Sequence, residues 1–216
     1  QGEECLFLPR LGASIEFLLE NMYYTNQVLD SKSSPNIPLN FIACSASLEL
    51  GRELLISHKN ARELLQTYNS ALRGFNYGEF YDCNYNTWQC TKELPLEQRL
   101  ASCNHRAYYI NTLFYQTIVE LVAKALSFTQ DKSLDSARHD ALGSYAHYFG
   151  MGFQLVNDVA DFVPPRLQRG TSEKTSDDAY SDIKNGKMTY PVIAMLELAS
   201  LSEREKVVSA LERGFH

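Results

Sequence analysis

Apolar residues recur along most of this chain at steps of three and four, the spacing that places side chains on one face of a helix. In residues 11–29 that face carries Leu11, Ile15, Leu18, Leu19, Met22 and Leu29. Residues 39–57 repeat the pattern through Phe41, Ile42, Leu48 and Leu54, with Gly51 as a point of close approach. Residues 60–82 open on Asn60, a suitable helix cap, and carry Leu64, Leu65, Tyr68, Leu72 and Phe75. A polar break at 83–95 separates these from 97–128, which reads as one long helix or two stacked ones. Another long helix is expected over 135–162. Its Gly143, Gly150 and Gly152 each cost roughly 1 kcal/mol in helix propensity, so close packing is expected at all three. The stretch 163–178 holds two prolines, Gly170 and mixed charge and reads as an exposed loop. Helices over 189–201 and 203–214 close the chain. Nothing alternates with the period of a strand and no segment repeats, so the expected class is all-α, a single domain over 1–216.

Composition narrows the function. A chain of 216 residues with 44% hydrophobic and 21% charged positions has the profile of a soluble globular protein with a sizeable core. No run approaches the roughly 20 consecutive apolar residues of a membrane span. The most apolar stretch, 113–126, is interrupted by Tyr115, Gln116, Glu120 and Lys124, so it reads as a buried helix. Its apolar surplus suggests a dimer contact. A formal net charge of −6 argues against a nucleic-acid partner. Five cysteines without a CxxC pair support neither a disulfide framework nor a zinc site, with Cys83 and Cys90 the pair that could still meet. A reducing, cytoplasmic compartment is expected. The chain begins at Gln1 and not at Met, which leaves organellar targeting open.

Candidate chemistry concentrates at 149–162. On a helix, Asp158 and Asp161 share a face, with Asn157 beside them and Gln154 one turn earlier. Two readings are open: oxygen ligands for Mg²⁺, a hard cation held by one or two carboxylates together with substrate phosphates, or a solvated helix end. His139 and His147 stand two helical turns apart, too far to share a metal, and His105 reads as a surface or capping residue.

The surrounding sequence favours the metal reading. Phe153-Gln154 precedes Asn157-Asp158-x-x-Asp161, and residues 182–191 read Asp-Ile-Lys-Asn-Gly-Lys-Met-Thr-Tyr-Pro. This pair of segments resembles the second aspartate-rich region of the polyprenyl synthetases, the trans-isoprenyl diphosphate synthases, with its FQ-x-x-DD-x-x-D followed by DL-x-x-GK-x-T-x-P. Asn26-Gln27-Val28-Leu29-Asp30 resembles the family's first motif, DD-x-x-D. Gly51-Arg52-Glu53-Leu54-Leu55 resembles GD-x-LL, and Gly78-Glu79-Phe80-Tyr81-Asp82 resembles GQ-x-x-D. The family's Lys-Thr pair falls at Tyr109-Ile110, where the lysine is lost. The resemblance runs from about Leu11 to about Leu201 and begins after the family's N-terminal helices.

The resemblance implies an isoprenoid-synthase bundle around a central cavity, with Asp30 facing Asp158. It implies a prenyltransferase acting on an allylic diphosphate such as geranyl or farnesyl diphosphate. Mg²⁺ would be held by Asp30, Asn26, Asp158 and Asp161. Asp158, Asp161 and Lys187 carry the catalytic roles. Gln154, Asn157, Lys174 and Lys187 meet the substrate's polar end, and Tyr23 and Tyr24 floor the tunnel for its tail. The first motif keeps only Asp30, and Asn and Gln bring no charge to a metal. That erosion leaves a second expectation open, a non-catalytic subunit paired with an active homologue. A homodimer or such a heterodimer is the implied assembly.

Overall fold

A computed structural model describes residues 2–29, 37–130, 135–163 and 180–213, with side-chain surroundings for 7–29, 37–127, 135–163 and 180–213. These residues are helical throughout, joined by short turns, with one isolated antiparallel bridge between Thr87 and Lys187. They divide into two compact units, residues 1–76 with 110–150 and residues 77–109 with 151–216. Asp30, Lys174 and the loop read at 163–178, beyond its first residue, lie outside the described residues.

The first unit contains α1 (Gly2–Leu29), α2 (Ile37–Ile56), the start of α3 (Ala61–Asn84), α6 (Leu113–Gln130) and the start of α7 (Ser136–Ala160). Its core takes Leu11, Leu18 and Met22 from α1, Leu55 from α2 and Leu64, Tyr68, Leu72 and Phe75 from α3. From α6 come Phe114, Leu121 and Ala125. The three- and four-residue steps are therefore the contact faces, and each fully buried Leu or Phe contributes about 1.5–3 kcal/mol. Two polar ties fix α1 against α2: Ser14 Oγ donates to the Gly51 carbonyl at 2.8 Å, and Asn21 Nδ2 donates to the Cys44 carbonyl at 2.8 Å.

The α2 face differs in part from the expected one, since Leu48 packs against the core and Gly51 is the close approach as read. Phe41 and Ile42 are 66% and 63% exposed, and the buried positions are Ser47, Gly51 and Leu55. Small residues make this contact because the backbones approach closely there. A Cβ at Gly51 would collide with the Tyr68 phenol and crowd Phe17. Leu19 and Leu29 are likewise exposed.

Residues 113–126 pack in large part against the core of the first unit. Phe114, Leu121 and Ala125 lie in the core, Tyr115, Ile118 and Val122 pack against it, and none of the stretch's large apolar side chains is exposed.

The glycines of α7 also separate. Only Gly150 lies against a neighbour: a Cβ there would stand 2.5 Å from the Thr112 Cα, whereas Gly143 and Gly152 have open space. Gly150→Ala is expected to cost about 1–3 kcal/mol through overpacking. Gly143→Ala and Gly152→Ala should instead stabilise by about 0.5–1 kcal/mol through propensity. Urea denaturation of the three variants checks the split, and equal effects at all three would contradict it.

The second unit holds the end of α3, α4 (Trp88–Thr91), α5 (Leu96–Ala107), the end of α7, α8 (Ser181–Lys184), α9 (Tyr190–Leu198) and α10 (Leu201–Arg213). Its core comprises Trp88, Cys103, Met188, Val192, Ile193, Leu196 and Leu211. A π-helical turn, Tyr108–Thr112, joins α5 to α6, so residues 97–128 form a continuous but irregular helical run. Among the described residues Cys44, Cys83, Cys90 and Cys103 form no disulfide, so Cys83 and Cys90 are not bridged. Burial pushes the Cys103 thiol up to about 12, which keeps it inert. Among the described residues no helix is long and apolar enough to cross a membrane.

Candidate functional site

The second unit builds its polar centre around a short pairing of two turns. After α3, residues 86–88 run antiparallel to residues 186–188. The Trp88 amide donates to the Gly186 carbonyl at 2.8 Å, and the Met188 amide donates to the Asn86 carbonyl at 2.9 Å. Asn86 Nδ2 closes the pairing on the Met188 carbonyl at 2.8 Å. Gly186 sits at φ 60°, a left-handed conformation that glycine adopts without steric cost, and it turns the chain from α8 into this pairing. Lys187 follows directly and its Nζ lies 2.7 Å from Asp82 Oδ2. Pro191 then falls in the first turn of α9, where a missing N–H is harmless. The Gly-Lys-x-Thr-x-Pro spelling is thus a turn, a buried cation and a helix start in sequence.

Around Lys187 lies a network of buried charge. Asp82, Arg106, Asp158 and Lys187 are all buried. Arg106 on α5 grips Asp158 on α7 with two parallel bonds, Nη1 to Oδ2 at 3.1 Å and Nη2 to Oδ1 at 2.8 Å. Its Nε stands 2.9 Å from Asp82 Oδ1, too oblique for a hydrogen bond but close enough for an ion pair. Gln154, one turn before Asp158, donates to Asp158 Oδ1 at 2.6 Å. Asn86 Nδ2 also donates to Asp82 Oδ1 at 3.2 Å, and Ser102 Oγ donates to Asn86 Oδ1 at 2.9 Å.

The charge states follow from this packing. Burial pushes the Asp82 carboxyl up, but Arg106 and Lys187 outweigh it and hold the group below its ordinary range. Burial works against the Arg106 charge, and Asp82 and Asp158 more than offset it, keeping the guanidinium protonated. Asp182 behaves oppositely. Burial raises it to about 7, with Arg106 pulling it down and the charges of Asp161 and Asp158 adding to the rise.

Asp161 does not join Asp158 on a common face. It lies one residue past the end of α7, and its carboxylate turns to the start of α8. There it accepts from the Ser181 amide at 3.2 Å, Ser181 Oγ at 2.9 Å and the Asp182 amide at 3.0 Å. Backbone N–H groups at a helix start are strong partners for a carboxylate and draw it away from Asp158. Among the described residues no group of three or more His, Cys, Asp and Glu side chains is arranged to hold a metal. As folded, both oxygens of Asp158 and both of Asp161 are engaged by protein donors, so this donor set does not fit a divalent ion.

Comparison with known proteins places the chain. The family model for polyprenyl synthetase matches residues 40–216. The chain belongs to this family. It is 26% identical over 107 residues to a prenyl transferase of Cyanophora paradoxa, a match covering 50% of this chain and 30% of that one. It is 28% identical over 76 residues to component 2 of the heptaprenyl diphosphate synthase of Bacillus subtilis, covering 35% and 20%. A heptaprenyl diphosphate synthase from Staphylococcus aureus shares the fold, with a TM-score of 0.68 at 18% identity, covering 94% of this chain and 65% of that one. The all-α isoprenyl synthase fold is therefore the fold of this polyprenyl synthetase chain. Its matched stretches span under a third of the curated relatives' length.

Against that background the expected site residues fall into four groups. Gln154, Asp158, Asp161 and Lys187 are buried in the second unit. Asn157 is exposed on α7. In the first unit, Tyr23 is 59% exposed and meets the partly buried Tyr24 edge to face at 5.5 Å, and Asn26 is partly buried on the last turn of α1. Asp30 and Lys174 lie outside the described residues. Sequence reasoning missed Arg106 altogether and gave Asp82 and Asp182 no role beyond their motifs. A signal for Arg106 existed: it shares the buried side of α5 with Ser102, Cys103 and Ala107, where a charge needs a partner.

Proposed function

We propose that this polyprenyl synthetase takes an allylic isoprenyl diphosphate, of geranyl or farnesyl size, and transfers its prenyl group to an acceptor. The supporting observation is that Gln154, Asp158 and Lys187, read from two separate motifs, are joined through Arg106 and Asp82 in one buried polar network. In such a transfer the C–O bond to the diphosphate breaks with its electron pair leaving on the diphosphate. The acceptor's electrons then form the new bond to the prenyl carbon, and the acceptor sheds a proton. In this family's chemistry Mg²⁺ would supply charge stabilisation of the leaving diphosphate, but Asp158 and Asp161 as folded keep no oxygen for it. Lys187 is the side chain that contributes such charge from the protein itself, by exchanging Asp82 for a phosphate oxygen. Tyr23 and Tyr24 are proposed to line the space for the prenyl tail. A cytoplasmic location and a homodimer or a dimer with a homologue complete the reading.

The second reading is a non-catalytic subunit of a heteromeric synthase, and the specific observation favouring it is the Arg106–Asp158 pair. Calorimetry of the chain with farnesyl diphosphate, with and without Mg²⁺, separates the two. The enzyme reading expects measurable binding that Lys187→Ala weakens at least tenfold. No heat under either condition removes it and leaves the subunit reading, which sedimentation with a catalytic homologue then tests.

A further inference from the structure

We infer that Arg106 is the resident counter-ion of the second aspartate-rich segment, a guanidinium built into the fold where a divalent cation would otherwise sit against Asp158. The geometry is that of a dedicated pair. A planar guanidinium offers two parallel N–H groups that match the two oxygens of a carboxylate, and Arg106 presents them to Asp158 at 2.8 and 3.1 Å. Arg106 is only 5% exposed, and the Asp158 side chain 1%. Charges so deeply buried persist only when paired and hydrogen-bonded, and here each is both.

The pair is also anchored. Nε of the same guanidinium faces Asp82 at 2.9 Å, so Arg106 cannot swing away from Asp158 without leaving a second buried carboxylate. Asp82 in turn holds Lys187 at 2.7 Å, and Gln154 holds the Oδ1 of Asp158 that Arg106 shares. Two cations thus meet two carboxylates with no ion required. The charge of Asp161 is answered separately, by the three donors of Ser181 and Asp182. An arginine cannot vacate the place by losing its proton. A cation entering beside Asp158 would also stand within a few ångströms of the guanidinium, where each unit of like charge costs roughly 4 kcal/mol.

The inference holds under either reading of the function, because it concerns Asp158 as a ligand and not the fate of a prenyl group. Its test therefore contains no prenyl substrate, and a negative result in the diphosphate calorimetry leaves it untouched. Mn²⁺ is titrated into the full chain and into Asp158→Asn, with the free ion followed by electron paramagnetic resonance. The two curves are expected to superimpose. A micromolar Mn²⁺ site present in the unaltered chain and lost in Asp158→Asn would overturn the inference. Arg106→Gln, checked for helicity by circular dichroism, supplies a second arm. If folded, it should bind Mn²⁺ at least tenfold more tightly than the unaltered chain, and adding Asp158→Asn should remove the gain. A folded Arg106→Gln without that gain would overturn the inference as well. If Arg106→Gln does not fold, the first comparison decides.

Discussion

Arg106→Leu is expected to lower the stability of this chain by about 3–5 kcal/mol, the usual cost of removing one partner from a buried ion pair. The loss arises less from the missing attraction than from what remains. Asp158 and Asp82 stay buried, and each loses the cation that compensates its dehydration. Lys187 still answers Asp82, so Asp158 bears most of the penalty. Pairing the change with Asp158→Leu should recover much of the loss, since two apolar side chains of similar volume carry no charge to dehydrate. Lys187→Met should cost less than Arg106→Leu, because Arg106 is ion-paired to both Asp158 and Asp82 and its loss strips charge compensation from two buried carboxylates. Urea midpoints of the single and double variants give the coupling directly. A cost below about 1 kcal/mol for Arg106→Leu would mean the carboxylates reach water or another cation, and the account of this network would fail.

That network also marks the limit of what the sequence discloses. Helices were legible because their faces repeat locally: Leu64, Tyr68, Leu72 and Phe75 are spaced by the helix and buried by it. The segment around Gly186 was found through its resemblance to a family motif, and its glycine, lysine and proline each act locally, within a few residues of one another. On α2 the same logic misplaced Phe41 and Ile42, while Leu48 and Gly51 lie on the contact side as read. Phe41 and Ile42 have the hydrophobicity of core residues, but contact with α1 is decided by the smallness of Ser47 and Gly51, which periodicity in apolar residues does not weigh. Arg106 was hidden by distance along the chain, with its partners 24 residues back and 52 residues on, at Asp82 and Asp158. Asp158 and Asp161 illustrate the same limit. Their spacing suits a shared ligand face, yet the α7 terminus and the Ser181 amide send the two carboxylates to different partners. Residue type and spacing identified where charge would collect; the long-range partner decided what the charge does.

Stability is expected to rise as the pH is lowered from about 8 to about 5, with Asp182 as the cause. Its carboxyl is raised to about 7 in the fold from an ordinary value of 3.8, so the folded chain takes up this proton well before the unfolded chain does. Between those two values the folded state binds more protons, and stability must fall as pH increases. The contribution is complete below about 4, is lost progressively up to about 7, and stays lost above it, at roughly 1.4 kcal/mol per unit inside the window. The groups that set it come from several elements: Arg106 on α5, Asp158 on α7, Asp161 beyond its end, and Lys187 after the Gly186 turn. Asp82 does not interfere in this range. Its pKa is depressed, so the stability it adds is lost only as pH falls through a value below the usual carboxylate range. Asp182→Asn should therefore be more stable than the unaltered chain at pH 8, and the gap should narrow steadily towards pH 5. Urea unfolding at pH 5, 6, 7 and 8 measures both curves. Parallel curves for the two proteins would show that Asp182 is already ionised in the fold, and that the rise in its pKa is not what couples this chain's stability to pH.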